Sequence, residues 1–188
     1  MQNYRVISIF FGGGTPSLLT GEQIGRLMDT VRKIFTLDED AEITMEMNPG
    51  TVTEEKLRKY RQAGVNRLSI GLQSVNDEEL RLLGRIHTYE EFREAYHLAR
   101  ANGFSNINVD LISAIPGQTV ESWRRTLEQV MALSPEHISA YSLILEEGTT
   151  FYKKYVEDEA KEGPKLPDED AERQMYWDTE TLMEKNGC

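Results

Sequence analysis

The chain has 188 residues, of which 39% are hydrophobic, and its formal net charge is −11. This length and composition predict one globular domain, or a large part of one, with enough apolar side chains for a core. The acidic balance argues against a nucleic-acid partner, because binding nucleic acid requires a basic surface.

Cysteine content and hydropathy narrow the class of protein further. The single cysteine, Cys188, can form no disulfide within the chain and excludes an intrachain set of cysteine ligands for a metal. No segment approaches the length of about 18 apolar residues that a membrane span needs, and no signal peptide is recognisable. We therefore expect a cytoplasmic protein without a membrane span.

Five apolar or β-branched segments alternate with amphipathic helical patterns along the chain. Strands are predicted at 5–11, 42–47, 66–72, 106–112 and 137–145. Thr20 and Gln23 can form a capping box at the start of the first helix. One helix between successive strands is typical of βαβ units, whose strands are parallel. The pattern predicts an α/β fold, and both a doubly wound sheet and part of a (β/α) barrel fit it.

The most informative motif follows the first predicted strand and reads Gly12-Gly13-Gly14-Thr15-Pro16. Three consecutive glycines contribute no side chain to a core and lose the most backbone entropy on folding. Their use is better explained by a ligand that approaches bare backbone amides and carbonyls. The loop lacks the G-x-G-x-x-G spacing of dinucleotide sites, so a nicotinamide cofactor is not expected.

Polar residues also stand near the ends of the later strands. Glu46 lies near the end of the second strand, Gln73 follows the third with Arg85 a dozen residues on, and Asp110 lies near the end of the fourth. Ligand sites of parallel α/β folds gather at the carboxyl ends of strands, so we expect one shared site. Carboxylates suit an ammonium group or a ribose diol, and Arg85 suits a carboxylate. Alternatively, Glu46 and Asp110 cap turns and Arg85 only pairs with an acid.

Six motifs, in this order, carry a resemblance to a known family: Phe11-Gly12-Gly13-Gly14-Thr15-Pro16, Glu46-Met47-Asn48-Pro49-Gly50, Arg67-Leu68-Ser69-Ile70-Gly71-Leu72-Gln73-Ser74, Leu83-Gly84-Arg85-Ile86-His87-Thr88, Asn108-Val109-Asp110-Leu111-Ile112 and His137-Ile138-Ser139-Ala140-Tyr141-Ser142-Leu143. The chain resembles the radical S-adenosylmethionine (SAM) family of oxygen-independent coproporphyrinogen III oxidases. The third, fourth and sixth motifs are more similar to its heme-chaperone branch than to the true oxidases.

The resemblance implies a partial (β/α) barrel of the radical SAM type, with five of its six strands present here. It implies a [4Fe–4S] cluster and SAM as cofactors, with SAM cleaved reductively to a radical that takes hydrogen from a substrate. The positions implied to hold SAM are Gly12, Gly13, Gly14, Thr15, Glu46, Gln73, Arg85 and Asp110, with Ile112 against the adenine. Heme or a porphyrinogen is implied as a further ligand, and an acceptor protein as the partner of a chaperone.

The sequence departs from the family pattern in three places. It contains no C-x-x-x-C-x-x-C cluster loop, it stops where the family continues into a C-terminal region, and Ser113-Ala114 stands where the family has Tyr-Gly. We therefore expect a radical SAM core at 1–147 and an acidic connection with a helix at 148–188, leading toward a further C-terminal region. Such a core fragment should be inactive alone.

Three functions remain open from the sequence. The chain is expected to be part of a heme chaperone, part of a coproporphyrinogen III dehydrogenase of porphyrin biosynthesis, or a cluster-free (β/α) protein that binds a phosphorylated metabolite through its glycine loop. A heme-binding protein without decarboxylase activity would favour the first over the second.

Overall fold

A computed structural model describes residues 4–158 and 163–185. The strands are β1 (Arg5–Phe11), β2 (Thr36–Met47), β3 (Arg67–Gln73), β4 (Ile107–Ser113) and β5 (His137–Ser142). The helices are α1 (Gly21–Ile34), α2 (Glu54–Ala63), α3 (Asp77–Leu82), α4 (Tyr89–Ala101), α5 (Val120–Met131), α6 (Thr150–Tyr152) and α7 (Glu169–Lys185). Short 3-10 turns follow β1 and β2, and α6 continues into a π-helical segment, Lys153–Glu157.

The five strands are parallel and form one sheet in the order β1-β2-β3-β4-β5. This confirms the predicted α/β class and the partial barrel. The capping box at the start of α1 is also confirmed, since Thr20 and Gln23 each accept a hydrogen bond from the backbone of the other. The apolar residues of α1 recur at helical spacing, and two of them, Ile24 and Met28, are fully buried on the inner face of the helix.

Two strand boundaries differ from the sequence prediction by more than one residue. β2 begins at Thr36 instead of residue 42, because Thr36 and Leu37 pair with Arg5 and Val6 ahead of an irregularity in the β1–β2 register. The acidic residues that β2 thereby includes do not show the alternating pattern that predicts a strand. β5 ends at Ser142 instead of residue 145, although the Leu143 N–H still donates to the Ser113 carbonyl.

The chain divides into two compact units. The first comprises the residues up to Leu72 with Glu90–Val109 and Pro135–His137, and α1 packs on α2 within it. Its buried core includes the large side chains of Met45, Leu57, Tyr60, Leu68, Ile70, Phe92, Tyr96 and Phe104. The predicted division of the chain at residues 147 and 148 stays a prediction.

The second unit comprises Gln73–Tyr89, Asp110–Ser134 and the residues from Ile138 onward, and α5 packs on α7 within it. Its buried core includes Leu80, Leu111, Ile115, Trp123, Leu127, Val130 and Met175. In residues 4–158 and 163–185, no helix combines the length and the apolarity needed to cross a membrane.

Candidate functional site

The glycine loop of the first unit carries an exposed, hydrogen-bonding backbone. Gly13 and Gly14 have φ values of 82° and 62°, which side-chain-bearing residues rarely adopt. A Cβ at either position would meet no atom within 4 Å, so open space lies beside this backbone. Glycine is therefore needed for conformation, and the space is available to a ligand.

Glu46 lies against this loop. Its Oε2 accepts a hydrogen bond from the Gly13 N–H at 3.1 Å. A Cβ on Gly12 would stand 3.2 Å from Glu46 Oε1 and 2.7 Å from the Phe10 ring, so the bare Gly12 makes room for the carboxylate. The carboxylate retains further lone pairs that can accept from a ligand's ammonium or hydroxyl groups.

Asn48 adds an unsatisfied acceptor two residues beyond Glu46. Its backbone N–H donates to Ser17 Oγ at 3.0 Å, but its buried side-chain Oδ1 has no hydrogen-bond partner among the described residues. Buried polar atoms usually have a hydrogen-bond partner, so this oxygen is a candidate acceptor for a donor group of a ligand. The sequence motif contained Asn48, but no local pattern distinguished it as a binding residue.

A partly buried polar cluster fixes the segment that follows the glycine loop. Lys56 Nζ donates to the carbonyls of Ser17 and Thr51 at 2.8 and 2.9 Å, and the Tyr60 hydroxyl donates to the Leu19 carbonyl at 2.5 Å. Burial lowers the pKa of Lys56 and raises the pKa of Tyr60 to about 12. No sequence pattern predicts this cluster, because its members are distant in the chain.

In the second unit, Gln73 has a strained backbone at the end of β3. Its φ is 76° although it is not glycine, and its side chain is buried. Such a conformation persists only where the surroundings hold it, and it is frequent at binding sites.

Arg85, Asp110 and Ile112 belong to the same unit as Gln73. Burial lowers the pKa of Arg85, and the nearby negative charge of Asp110 raises it in part, so the two groups interact electrostatically. Asp110 and Ile112 alternate along β4 with the buried Val109 and Leu111, which puts them together on the opposite face of the strand.

The structure therefore groups the predicted residues in two sets. Gly12, Gly13 and Glu46 are in contact or hydrogen-bonded in the first unit, while Arg85 and Asp110 interact in the second. The Thr15 carbonyl accepts from the Leu18 N–H, and its side chain does not cap the turn. That both sets bind one ligand stays a prediction.

The two implied cofactors fit these residues differently. In the first unit, open glycine backbone, a carboxylate and an unsatisfied buried acceptor could hold an ammonium or hydroxyl group of SAM, and in the second unit a guanidinium could hold a carboxylate. Across the parts of the chain that the structure describes, no three His, Cys, Asp or Glu residues could hold a metal ion. Because cysteine thiolates hold [4Fe–4S] clusters, the residues of this chain do not fit one.

The superfamily of the chain follows from its similarity to known proteins. Residues 1–130 match the model of the Radical SAM superfamily, so the chain belongs to that superfamily. Members of it bind SAM and a [4Fe–4S] cluster.

Individual relatives indicate which members of the superfamily the chain is similar to. The chain is 43% identical over 178 residues to the heme chaperone HemW of Haemophilus influenzae, covering 95% of this chain and 43% of that protein. It is 44% identical over 177 residues to the heme chaperone HemW of Escherichia coli, covering 94% and 44%. The chain thus spans less than half the length of these relatives.

Among solved structures, the chain is similar to the radical SAM enzyme coproporphyrinogen III oxidase (HemN) from Escherichia coli. The TM-score is 0.83 at 32% identity, over 97% of this chain and 41% of that one. Together these findings confirm the resemblance to the oxidase-like family and its heme-chaperone branch.

Proposed function

We propose that this chain is the SAM-binding core of a heme chaperone that acts in the cytoplasm and passes heme to an acceptor protein. The observation that carries this proposal is the extent of identity to two proteins named heme chaperones, along 94–95% of the chain. The superfamily match makes SAM the expected small ligand. It also disfavours the cluster-free phosphometabolite protein considered from sequence.

Each proposed SAM contact follows from the chemistry of its residue. The Gly12–Gly14 backbone and Glu46 would bind the methionyl ammonium, because the carboxylate already stands on the loop and keeps acceptor capacity. Arg85 would bind the methionyl carboxylate and Asp110 the ribose hydroxyls. Gln73 would hydrogen-bond to SAM, and Ile112 would lie against the adenine. Thr15 would help to hold the turn.

The second candidate function is oxidation of coproporphyrinogen III. The similarity to coproporphyrinogen III oxidase at a TM-score of 0.83 favours it. Identity is lower there, at 32% against 43% and 44% for the two heme chaperones. Heme transfer is therefore the better supported of the two.

SAM binding is tested by calorimetric titration of the chain and of variants. Glu46→Ala and Asp110→Ala each remove an acceptor for a charged or hydroxyl-bearing group, so affinity should fall about 10- to 100-fold, corresponding to roughly 1.5–3 kcal/mol. Glu157→Gln, in the exposed segment beyond α6, should leave affinity unchanged. Equal affinities in all four proteins would contradict the assignment.

Heme transfer is tested with the whole protein that the native gene encodes. Absorbance titration with hemin should show saturable binding, and the heme-loaded protein should lose its heme to an apo-hemoprotein. Incubation with coproporphyrinogen III should give no loss of carboxylate groups. Decarboxylation of that substrate would support the second candidate function instead.

A further inference from the structure

Glu79 of α3 is a buried carboxylate with an unusual set of partners. Its side chain is 5% exposed. Oε2 accepts from Ser74 Oγ at 2.6 Å and from Gln118 Nε2 at 2.9 Å, while Oε1 accepts from Ser122 Oγ. A carboxylate is costly to bury, and three donors compensate this cost.

The three donors come from three different segments of the second unit. Ser74 directly follows Gln73, and its Oγ also accepts from the Asn76 N–H that precedes α3. Gln118 belongs to the turn after β4, where its own N–H donates to the Ile115 carbonyl at 2.8 Å. Ser122 lies in the first turn of α5. One carboxylate thus joins the end of β3, the turn after β4 and the start of α5.

These segments carry the predicted ligand-binding residues of the second unit. Gln73 needs surroundings that hold its left-handed backbone, and Ser74 is its neighbour. The helix that carries Glu79 leads to Arg85, whose N–H donates to the Leu80 carbonyl at 2.9 Å. Asp110 and Ile112 lie on the strand that runs into the turn of Gln118.

We infer that Glu79 is a positioning residue, which holds Gln73, Arg85 and the strand of Asp110 in the arrangement that binds ligand. That this ligand is SAM rests on the proposed function. A fold that needed only packing would be served by leucine at this position, without three donors to satisfy. The carboxylate is explained by the need to fix polar loops in one conformation.

The test compares Glu79→Gln with Glu79→Leu. The Gln amide can accept from Ser74 and Gln118 with its oxygen and donate to Ser122 Oγ with its nitrogen, because a hydroxyl can reverse its role. SAM affinity should therefore stay within about threefold in Glu79→Gln and fall more than about tenfold in Glu79→Leu. The exposed neighbour Glu78, changed to Gln and to Leu, gives the matched controls, which should bind like the parent chain.

Hydrogen exchange supplies a readout that does not depend on the ligand. Amide exchange at residues 73–76 and 115–119 should accelerate at least about tenfold in Glu79→Leu and stay near the parent rate in Glu79→Gln. Ser74→Ala, a milder change, should accelerate exchange at 73–76 and weaken SAM binding by about three- to tenfold. It serves as the test variant if Glu79→Leu does not fold.

The outcomes separate this inference from the proposed function. If the parent chain binds no SAM, the proposed function fails, and the exchange rates alone decide whether Glu79 holds these segments. Unchanged exchange in both Glu79→Leu and Ser74→Ala would overturn the inference. Equally weak SAM binding in Glu79→Gln and Glu79→Leu would also overturn it, because the isosteric amide would then not restore position.

Discussion

Gly12 offers a test of close packing beside the proposed ligand. A methyl group there would stand 2.7 Å from the Phe10 ring and 3.2 Å from Glu46 Oε1. The exposed Phe10 ring can move, and the Glu46 carboxylate would have to shift by a few tenths of an ångström from its place beside the Gly13 N–H. Gly12→Ala should therefore weaken SAM binding by about three- to tenfold in calorimetric titration, while the chain remains folded.

Gly25 provides the matched control for this substitution. It lies inside α1, where an added Cβ would meet no atom within 4 Å. Gly25→Ala should raise the free energy of unfolding by about 0.5–1 kcal/mol, because glycine is unfavourable in a helix interior, and should leave SAM affinity unaltered. Normal binding by Gly12→Ala would show that Glu46 does not need its present position.

Ser134, beyond the end of α5, is an exposed residue with a φ of 53°. A side chain is strained in this left-handed region and glycine is not. Ser134→Gly should exceed Ser134→Ala in unfolding free energy by about 1 kcal/mol, measured by urea denaturation. The Ala variant removes the same hydroxyl, so the comparison isolates the backbone. Equal stabilities would contradict a strained conformation at this position.

The contact between α5 and α7 depends on polar groups as well as on apolar packing. Trp123 Nε1 donates to the Met175 carbonyl at 3.1 Å and to Thr179 Oγ1 at 2.9 Å. Arg124 donates to both carboxylate oxygens of Asp178 at 2.6 and 3.0 Å. These bonds fix which face of α7 meets α5, because only one rotation of α7 satisfies them all.

The Asp178 carboxylate predicts a pH dependence for this helix pair. Burial raises the pKa of Asp178, but hydrogen bonds from Arg124 and Gln174 outweigh burial, so the pKa lies below its ordinary value. The contribution of Asp178 to stability is therefore complete above its unfolded pKa of about 3.9 and is lost as the pH falls through the lower folded value. Asp178→Asn should lower the Tm at pH 7 and flatten the fall of Tm on acidification.

Asp170→Asn is the control for Asp178, measured by the same thermal scans. Asp170 is 90% exposed and pairs with Arg173, three residues further along the same helix. Its substitution should barely change the Tm at any pH, since exposed pairs contribute little. The same acid dependence in Asp178→Asn and the parent chain would mean that other carboxylates control the acid limit of stability.

Iron binding can be predicted for the chain as a whole from its composition. Cys188 is the only cysteine of the 188 residues. A single thiolate cannot hold a cubane cluster, so anaerobic reconstitution with iron and sulfide should leave far less than about four irons per chain. Cys188→Ser should have the same iron content, measured by colorimetric assay. Stoichiometric iron in the parent that is lost in this variant would indicate a cluster shared between chains.

Much of the fold and part of the candidate site were readable from the residues in order. Alternating strands and helices predicted the parallel sheet because side-chain periodicity reports which face of each element is buried. The glycine loop and Glu46 were recognisable because conformational freedom and charge are properties of residue type. The predicted start of β2 was wrong, because Thr36 and Leu37 join the strand through pairing with β1 and not through a sequence pattern of their own.

The supporting contacts were not readable in this way. Lys56 lies 39 residues from the Ser17 carbonyl that it binds, and Glu79 lies 39 residues from Gln118 and 43 from Ser122. Likewise, no sequence pattern predicts the left-handed backbone of Gln73, because glutamine rarely adopts that conformation. Periodicity and residue type act along the chain and specify the elements. Partners of buried polar groups are chosen only when distant segments meet, so folding in three dimensions decided which residues support the site.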